Sequence, residues 1–248
     1  MAWKTSEWVE RRLRVMDGLR LRVDLKLSDK YLPLLFRNRV MSALKSLLGE
    51  EYFTERSPRP FSFFLSFQGE LDTNRFLLKE PYARLYMSFL DKKLGEETAG
   101  KLISLRDFPI DKNLKISVNS IKSLRVKKID QRAVFKVLSP AIIEDKEDKP
   151  ILPWDGNFER EFNLLHRKVF DLLGYSYEDV SLRYLFWKKV VIKHTLRGFR
   201  RASGKRVMYL TGFVGRFELK GNPESLKLLY LKGWGVRTGE GFGFVDVL

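Results

Sequence analysis

Five glycines fall within the eleven residues Gly233-Trp234-Gly235-Val236-Arg237-Thr238-Gly239-Glu240-Gly241-Phe242-Gly243, near the end of the 248-residue sequence. Glycine allows positive φ and close approach of the backbone to a ligand, and consecutive N–H groups in such a loop can form a concavity for phosphate oxygens. Arg237 adds a cation inside the loop. Gly233, Gly235, Arg237, Gly239, Gly241 and Gly243 are therefore candidate phosphate contacts, with a plain glycine-rich turn between helix and strand as the alternative. A second cluster, RGFRRASGKR, brings Arg197, Arg200, Arg201, Lys205 and Arg206 into ten residues. Its chemistry is phosphate neutralisation, weighed against a face kept basic for solubility.

The sequence has two histidines. His166 lies beside the apolar face of a helix, next to Phe162 and Phe170, and reads as a boundary or core residue rather than a catalyst. His194 follows Lys188, Lys189 and Lys193 on a basic strand and is a candidate RNA contact.

Lys and Arg number 47 against 31 Asp and Glu, a formal net charge of +16. A polyanionic partner is expected. The absence of cysteine excludes disulfides, thiolate metal sites and cysteine nucleophiles. With two histidines, neither a metal centre nor a cofactor is expected. No apolar stretch reaches the length of a membrane span and the first residues lack a signal-peptide apolar region, so a soluble, cytoplasmic protein without membrane contact is expected. The 31% charged content fits a thermophilic source.

These residues need a frame. Leu19 to Leu27 alternate as a half-buried strand, and Pro33 to Leu48 carry helical spacing up to Gly49. Strands around Phe61–Phe67 and Leu85–Phe89, a helix over Asp91–Leu105 and a strand over Leu114–Val126 give the order βαββαβ. A second βαββαβ set begins at Ala133–Leu138. It continues through a helix over Asn157–Leu173 with apolar face Phe158, Phe162, Leu165, Val169 and Leu172. A basic hairpin pairs Leu185–Leu196 with Val207–Leu219, then comes a helix capped by Asn222 and closed by Gly233, and last a strand over Phe242–Val247. The expected fold class is α+β: two tandem ferredoxin-like domains, 19–128 and 129–248, behind an N-terminal extension, 1–18. Trp3 and Trp8 in that extension suit packing better than base stacking.

Gly-hydrophobic-Gly, five residues including Arg, then Gly-hydrophobic-Gly, set a few residues before the end, resembles the signature of the RAMP proteins. Within them the chain looks like the Cas-six family of CRISPR precursor-RNA endoribonucleases. The strand LRLRVDLKL, the start Pro60-Phe61-Ser62-Phe63, the stretch Phe135-Lys136-Val137-Leu138-Ser139-Pro140 and Phe217-Glu218-Leu219-Lys220-Gly221 agree with it. Gly241-Phe242-Gly243-Phe244-Val245 also imitates an RRM motif, but an RRM would need a further helix and strand after it, and the sequence ends at Leu248.

The resemblance implies metal-independent RNA cleavage, in which a 2′-hydroxyl attacks the adjacent phosphate and leaves a 2′,3′-cyclic phosphate and a 5′-hydroxyl. That reaction needs a base, an acid and donors for the developing charge. Many members place a Tyr in the first helix, a His after it and a Lys before the Phe-Ser strand; here those positions fall near Met41, Phe53 and Arg56. The usual histidine is missing. In one reading Lys45, Tyr52 and Arg56 orient the 2′-oxygen and stabilise the phosphorane, giving a slow enzyme that works mainly by geometry. In another, the chain binds repeat RNA without cutting it, as a paralogue or a structural subunit of a ribonucleoprotein; in a third it is a scaffold whose main partners are proteins. CRISPR repeat RNA is the implied partner, with other Cas proteins beside it, and both a monomer and a homodimer stay open.

Overall fold

The computed structural model describes residues 17–53, 57–105, 107–111, 114–195, 200–201 and 203–248, with backbone alone for 107–111. The candidates Arg56 and Arg197 and nearly all of the 1–18 extension lie outside the described residues.

The alternation at the start of the chain makes β1 (Leu19–Leu27), whose Leu21, Val23, Leu25 and Leu27 point inward. After β2 (Tyr31–Pro33), Phe36, Val40, Leu44 and Leu48 repeat at four-residue spacing and bury one stripe of α1 (Phe36–Leu48). The chain continues through β3 (Phe61–Ser66), β4 (Gly69–Asp72), β5 (Arg75–Leu78) and β6 (Tyr82–Phe89). Asp91 then accepts the N–H groups of Lys93 and Leu94 and starts α2 (Lys92–Ser104), followed by β7 (Asp107–Asp111) and β8 (Leu114–Leu124). The antiparallel sheet runs β3-β6-β1-β8-β7. With β1, β3, β6 and β8 as its four principal strands, that is the ferredoxin-like order 2-3-1-4.

Residues 125–131 form no helix or strand. Beyond them come β9 (Arg132–Ala141), β10 (Ile143–Glu144), β11 (Pro150–Ile151), α3 (Phe158–Leu173), β12 (Ser181–His194), β13 (Met208–Lys220), α4 (Pro223–Lys232) and β14 (Val245–Val247). The second antiparallel sheet runs β12-β13-β9-β14, again 2-3-1-4. The protein is thus an α+β fold of two ferredoxin-like βαββαβ units in tandem. Each sheet has its own core, Leu21 to Ile116 under the first and a phenylalanine-rich cluster around Phe162, Phe213 and Phe217 under the second. No described helix is long and apolar enough to cross a membrane.

Several features differ from the sequence reading, among them the unexpected short strands β7, β10 and β11. β4 and β5, between β3 and β6, join β2 in a small sheet of order β2-β5-β4, where no strand was expected. Its strands are three or four residues long and mostly exposed, so no apolar alternation marks them. The buried face of α3 is Phe158, Phe162, His166 and Phe170, while Leu172 is 60% exposed. Four aromatic rings at four-residue spacing hold that face against the sheet, Leu165 and Leu173 pack partly beside them, and Leu164 and Leu172 turn outward.

Candidate nucleic-acid interface

The glycine-rich loop follows α4 and is pinned to the second unit by Trp234. This ring is fully buried, with centroids 5.5, 5.3 and 5.4 Å from those of Phe135, Phe162 and Phe217. The Trp234 N–H donates to the Gly243 carbonyl at 2.8 Å, so the loop's two ends run back to back. Gly235 and Gly243 have φ of +80° and +61°, and a Cβ on either would lie 2.1 Å from the Ile142 oxygen or 1.9 Å from the Trp234 oxygen. Here glycine serves close approach of backbone to backbone.

Four of the loop's glycine amides have partners inside the protein. Gly233 donates to Leu229, Gly241 to Thr238 and Gly243 to Pro140, while the Gly235 N–H donates to Nε2 of His166 at 2.9 Å. In this structure these four amides, expected from the sequence as phosphate contacts, join the loop's flanks. His166 is likewise a structural acceptor. A carbonyl can only accept, so the 2.7 Å contact from Nδ1 to the Phe162 oxygen places the imidazole proton on Nδ1. Burial holds its pKa down to about 3.

The other face of the loop rests on the first unit. Arg37 of α1 donates from Nε to the Gly241 carbonyl at 3.3 Å, and Arg59, just before β3, donates from Nη1 to the Gly239 carbonyl at 2.9 Å. The Arg59 guanidinium also sits 4.7 Å from the Phe53 ring and 3.7 Å from Met41 Sδ. Met41 and Phe53 are the positions matched to the family's tyrosine and histidine, so that region lies against the loop. Arg37, Met41 and Lys45 follow one another at four-residue spacing on α1. Lys45 pairs with Glu50 at 3.2 Å, and Tyr52, in the 3₁₀ turn Glu50–Phe53, packs half-buried on the first core.

At the centre stands Glu240, 9% exposed, with carboxylate oxygens 3.2 Å from His194 Nε2, 3.5 Å from Arg237 Nη1 and 3.7 Å from Arg59 Nη1. Burial pushes its pKa up, but the His194 hydrogen bond and the charges of Arg237 and Arg59 outweigh burial and leave it below the usual value. The unfolded chain therefore binds the proton at higher pH than the folded one, and this carboxylate's contribution is lost as pH falls below about 4.5. Glu240→Gln leaves two guanidiniums around a neutral amide and is expected to lower unfolding free energy by about 3 kcal/mol at neutral pH. Urea titration at pH 7 measures it. Beneath the same turn, Lys232 donates to Thr238 Oγ1, and burial, with Arg59 adding to it, brings its pKa down to about 7.

His194, expected from the sequence as a candidate RNA contact, is 2% exposed and turned into this cluster, edge-on to Phe242 at 5.2 Å. It stands at the root of the basic hairpin. The neighbouring Thr195 carbonyl accepts from Asn38 of α1, and Lys193 donates to Asn74 at 3.3 Å, so the root is tied to the first unit. Arg200, Arg201, Lys205 and Arg206 at the tip are exposed. Arg237 is held in the left-handed region, φ +61°, with a quarter of its side chain exposed.

Sequence reasoning missed the open face of the second sheet. Phe213, Phe217 and Leu219 of β13 point into the core, so the intervening register positions point away from it. Those positions place Arg132 and Lys136 of β9, Arg183, Phe186 and Lys188 of β12 and Arg216 of β13 on one exposed surface. Their period-two spacing was visible in the sequence, whereas Arg37 and Arg59 carried no signal of their contact with the loop.

Residues 110–247 match the family model described as CRISPR associated protein Cas6, C-terminal. No curated protein matches the chain in sequence. Among solved structures, one described as a RAMP protein binding different RNA substrates is similar at 20% identity and a TM-score of 0.74, over 93% of this chain and 99% of the other. A Cas6-related protein from Pyrococcus furiosus is similar at 20% identity and a TM-score of 0.76, over 93% and 98%. A structure described as a CRISPR associated protein Cas6 gives 17% identity and a TM-score of 0.71, over 94% and 100%.

Proposed function

This chain belongs to the Cas6 family, and from that premise we propose that it binds CRISPR repeat RNA and cleaves the precursor within each repeat without a metal ion. The 2′-oxygen forms a bond to the adjacent phosphorus as it loses its proton, the bond to the 5′-oxygen breaks, and the leaving oxygen takes a proton. The observation that carries this reading is the Arg59 contact set, which brings α1 and the Phe53 turn against the glycine loop. In this reading Lys45, Tyr52 and Arg56 hold the 2′-oxygen and the phosphate, and Arg237 stabilises the developing charge. Affinity comes from the hairpin tip and the basic face of the second sheet. The solved structure described as binding different RNA substrates supports an RNA ligand for this fold.

A second reading, binding without cleavage, rests on the histidines. His166 and His194 are 1% and 2% exposed, and both are engaged inside the protein. Incubation in EDTA with labelled repeat RNA, and with the same RNA carrying one 2′-deoxy at each candidate position in turn, separates the two. Cutting that a single deoxy substitution abolishes is the expected result. Tight binding with no cutting at any enzyme excess makes the chain a repeat-RNA binding protein.

The hairpin makes its own prediction. Arg200→Ala with Arg201→Ala removes two exposed cations, and on single-stranded RNA each lost phosphate contact reduces the slope of log K against log salt by about 0.7. Binding titrations from low to moderate salt measure it, and an unchanged slope removes the tip from the interface.

A further inference from the structure

The first sheet also has an open face, formed by the residues of β1, β3, β6 and β8 that alternate with the buried ones. Across it the register places Phe64, Tyr86, Arg22 and Lys122 in one row, Ser66, Arg84, Asp24 and Ser120 in the next, and Tyr82 beside Lys26 in the last. Phe244 covers the upper part, its ring 6.1 Å from Phe64, 6.5 Å from Tyr86 and 4.7 Å from the Arg20 guanidinium. The lower rows are uncovered among the described residues. There a depression is lined by Arg22, Asp24, Gln68, Glu80, Tyr82 and Arg84 among others, with Glu80 paired to Lys30 at 4.0 Å.

Its polar groups are arranged before any ligand arrives. Asp24 accepts from Ser120 at 2.7 Å and from Arg22 at 3.0 Å and pairs with Arg84 at 3.5 Å. One carboxylate thus fixes two guanidiniums that line the depression. Tyr82 is 51% exposed and Gln68 is exposed at the rim. The Nε of Arg22 is buried without a hydrogen-bond partner among the described residues, while its Nη2 is held by Asp24. An open aromatic ring, an amide with both donor and acceptor, and fixed cations together suit an unstacked nucleobase with its phosphate. A duplex cannot offer that base.

We propose that this depression holds one unpaired nucleotide of the RNA, and that the repeat taken by this chain is single-stranded where it crosses the first sheet. The inference rests on the reading of the chain as a repeat-RNA binder. Tyr82 stacks on the base, Gln68 reads its edge, and Arg22 and Arg84 meet the flanking phosphate.

The test compares repeat RNA left single-stranded with the same RNA annealed to complementary oligonucleotides that cover it in successive windows. Tyr82→Ala should weaken binding of the single strand by about tenfold, and Tyr82→Phe, which keeps the ring, should restore it. Annealing across one window should cost a similar factor in the wild type and remove the effect of Tyr82→Ala. Tyr82 is at the surface, and an unchanged melting temperature shows that the variant is folded. Equal binding by wild type and Tyr82→Ala, with no window sensitive to annealing, overturns the proposal and leaves repeat binding in place. Failure to bind the repeat in any form overturns both.

Discussion

Between pH 6.5 and pH 3 the chain is expected to lose about 5 kcal/mol of unfolding free energy through His166 alone, at about 1.4 kcal/mol per pH unit. The sign follows from proton counts. The unfolded chain takes up the proton near pH 6.5, whereas the folded chain takes it up only near pH 3. Through that window the unfolded state holds more protons, so acid favours it. The cause is local: the ring is 1% exposed, and its Nε2 must remain an acceptor for the Gly235 N–H. A proton there would set two donors against each other inside the core. Glu240 also weakens in acid, so wild type alone does not isolate the effect. His166→Phe does. At pH 7 the variant leaves the Gly235 N–H without an acceptor and should cost about 1–3 kcal/mol. Near pH 4 it should be at least as stable as wild type, because it no longer carries a histidine whose proton uptake favours unfolding. Urea unfolding at pH 7, 6, 5 and 4 measures both curves, and a gap that stays constant with pH would falsify this account.

The same histidine shows where the sequence stops being readable. Its place on a helix beside Phe162 and Phe170 was legible from spacing, because helical periodicity is a local property. Its bond to Gly235, 69 residues away, was not. The two βαββαβ orders could be read for the same reason: strands such as Leu19–Leu27 alternate strictly, and Asn222 and Gly233 punctuate a helix by their own backbone chemistry. The site was less legible because its parts meet only after folding. The glycine spacing was visible, yet nothing local tells whether an amide will face a ligand or the Pro140 carbonyl. Arg59 looked like any arginine before a strand, and Glu240 like a surface acid between two glycines. Their roles come from the packing of one ferredoxin-like unit on the other, with Arg59 crossing to Gly239 and Arg20 crossing to Asp246 at 3.3 Å and the Val245 carbonyl at 3.0 Å.

Substitutions in the glycine loop should separate this structural role from RNA contact. Gly243→Ala is expected to lower unfolding free energy by about 4 kcal/mol, from a left-handed backbone costing about 1–2 kcal/mol and displacement of neighbouring main chain. The new Cβ would stand 1.9 Å from the Trp234 oxygen, and Trp234 cannot retreat because its ring is locked among three phenylalanines. Gly100→Ala is the control. It lies in α2 with nothing within 4 Å of the added methyl, and should be neutral or gain up to about 1 kcal/mol. Gly239→Ala falls between them. Its φ is not in the left-handed region, and its Cβ would meet the Arg59 side chain, with Cδ at 2.3 Å and Cβ at 3.0 Å, so that Arg59 rather than the main chain must shift. That movement breaks the Arg59 bond to the Gly239 carbonyl, the contact on which the proposed site rests. Gly239→Ala should therefore lose less stability than Gly243→Ala while RNA cleavage falls, and Gly243→Ala should lose both together. If Gly239→Ala keeps full cleavage as well as full stability, the Arg59 contact is only a fastening between the two units, and the reacting phosphate must be sought elsewhere.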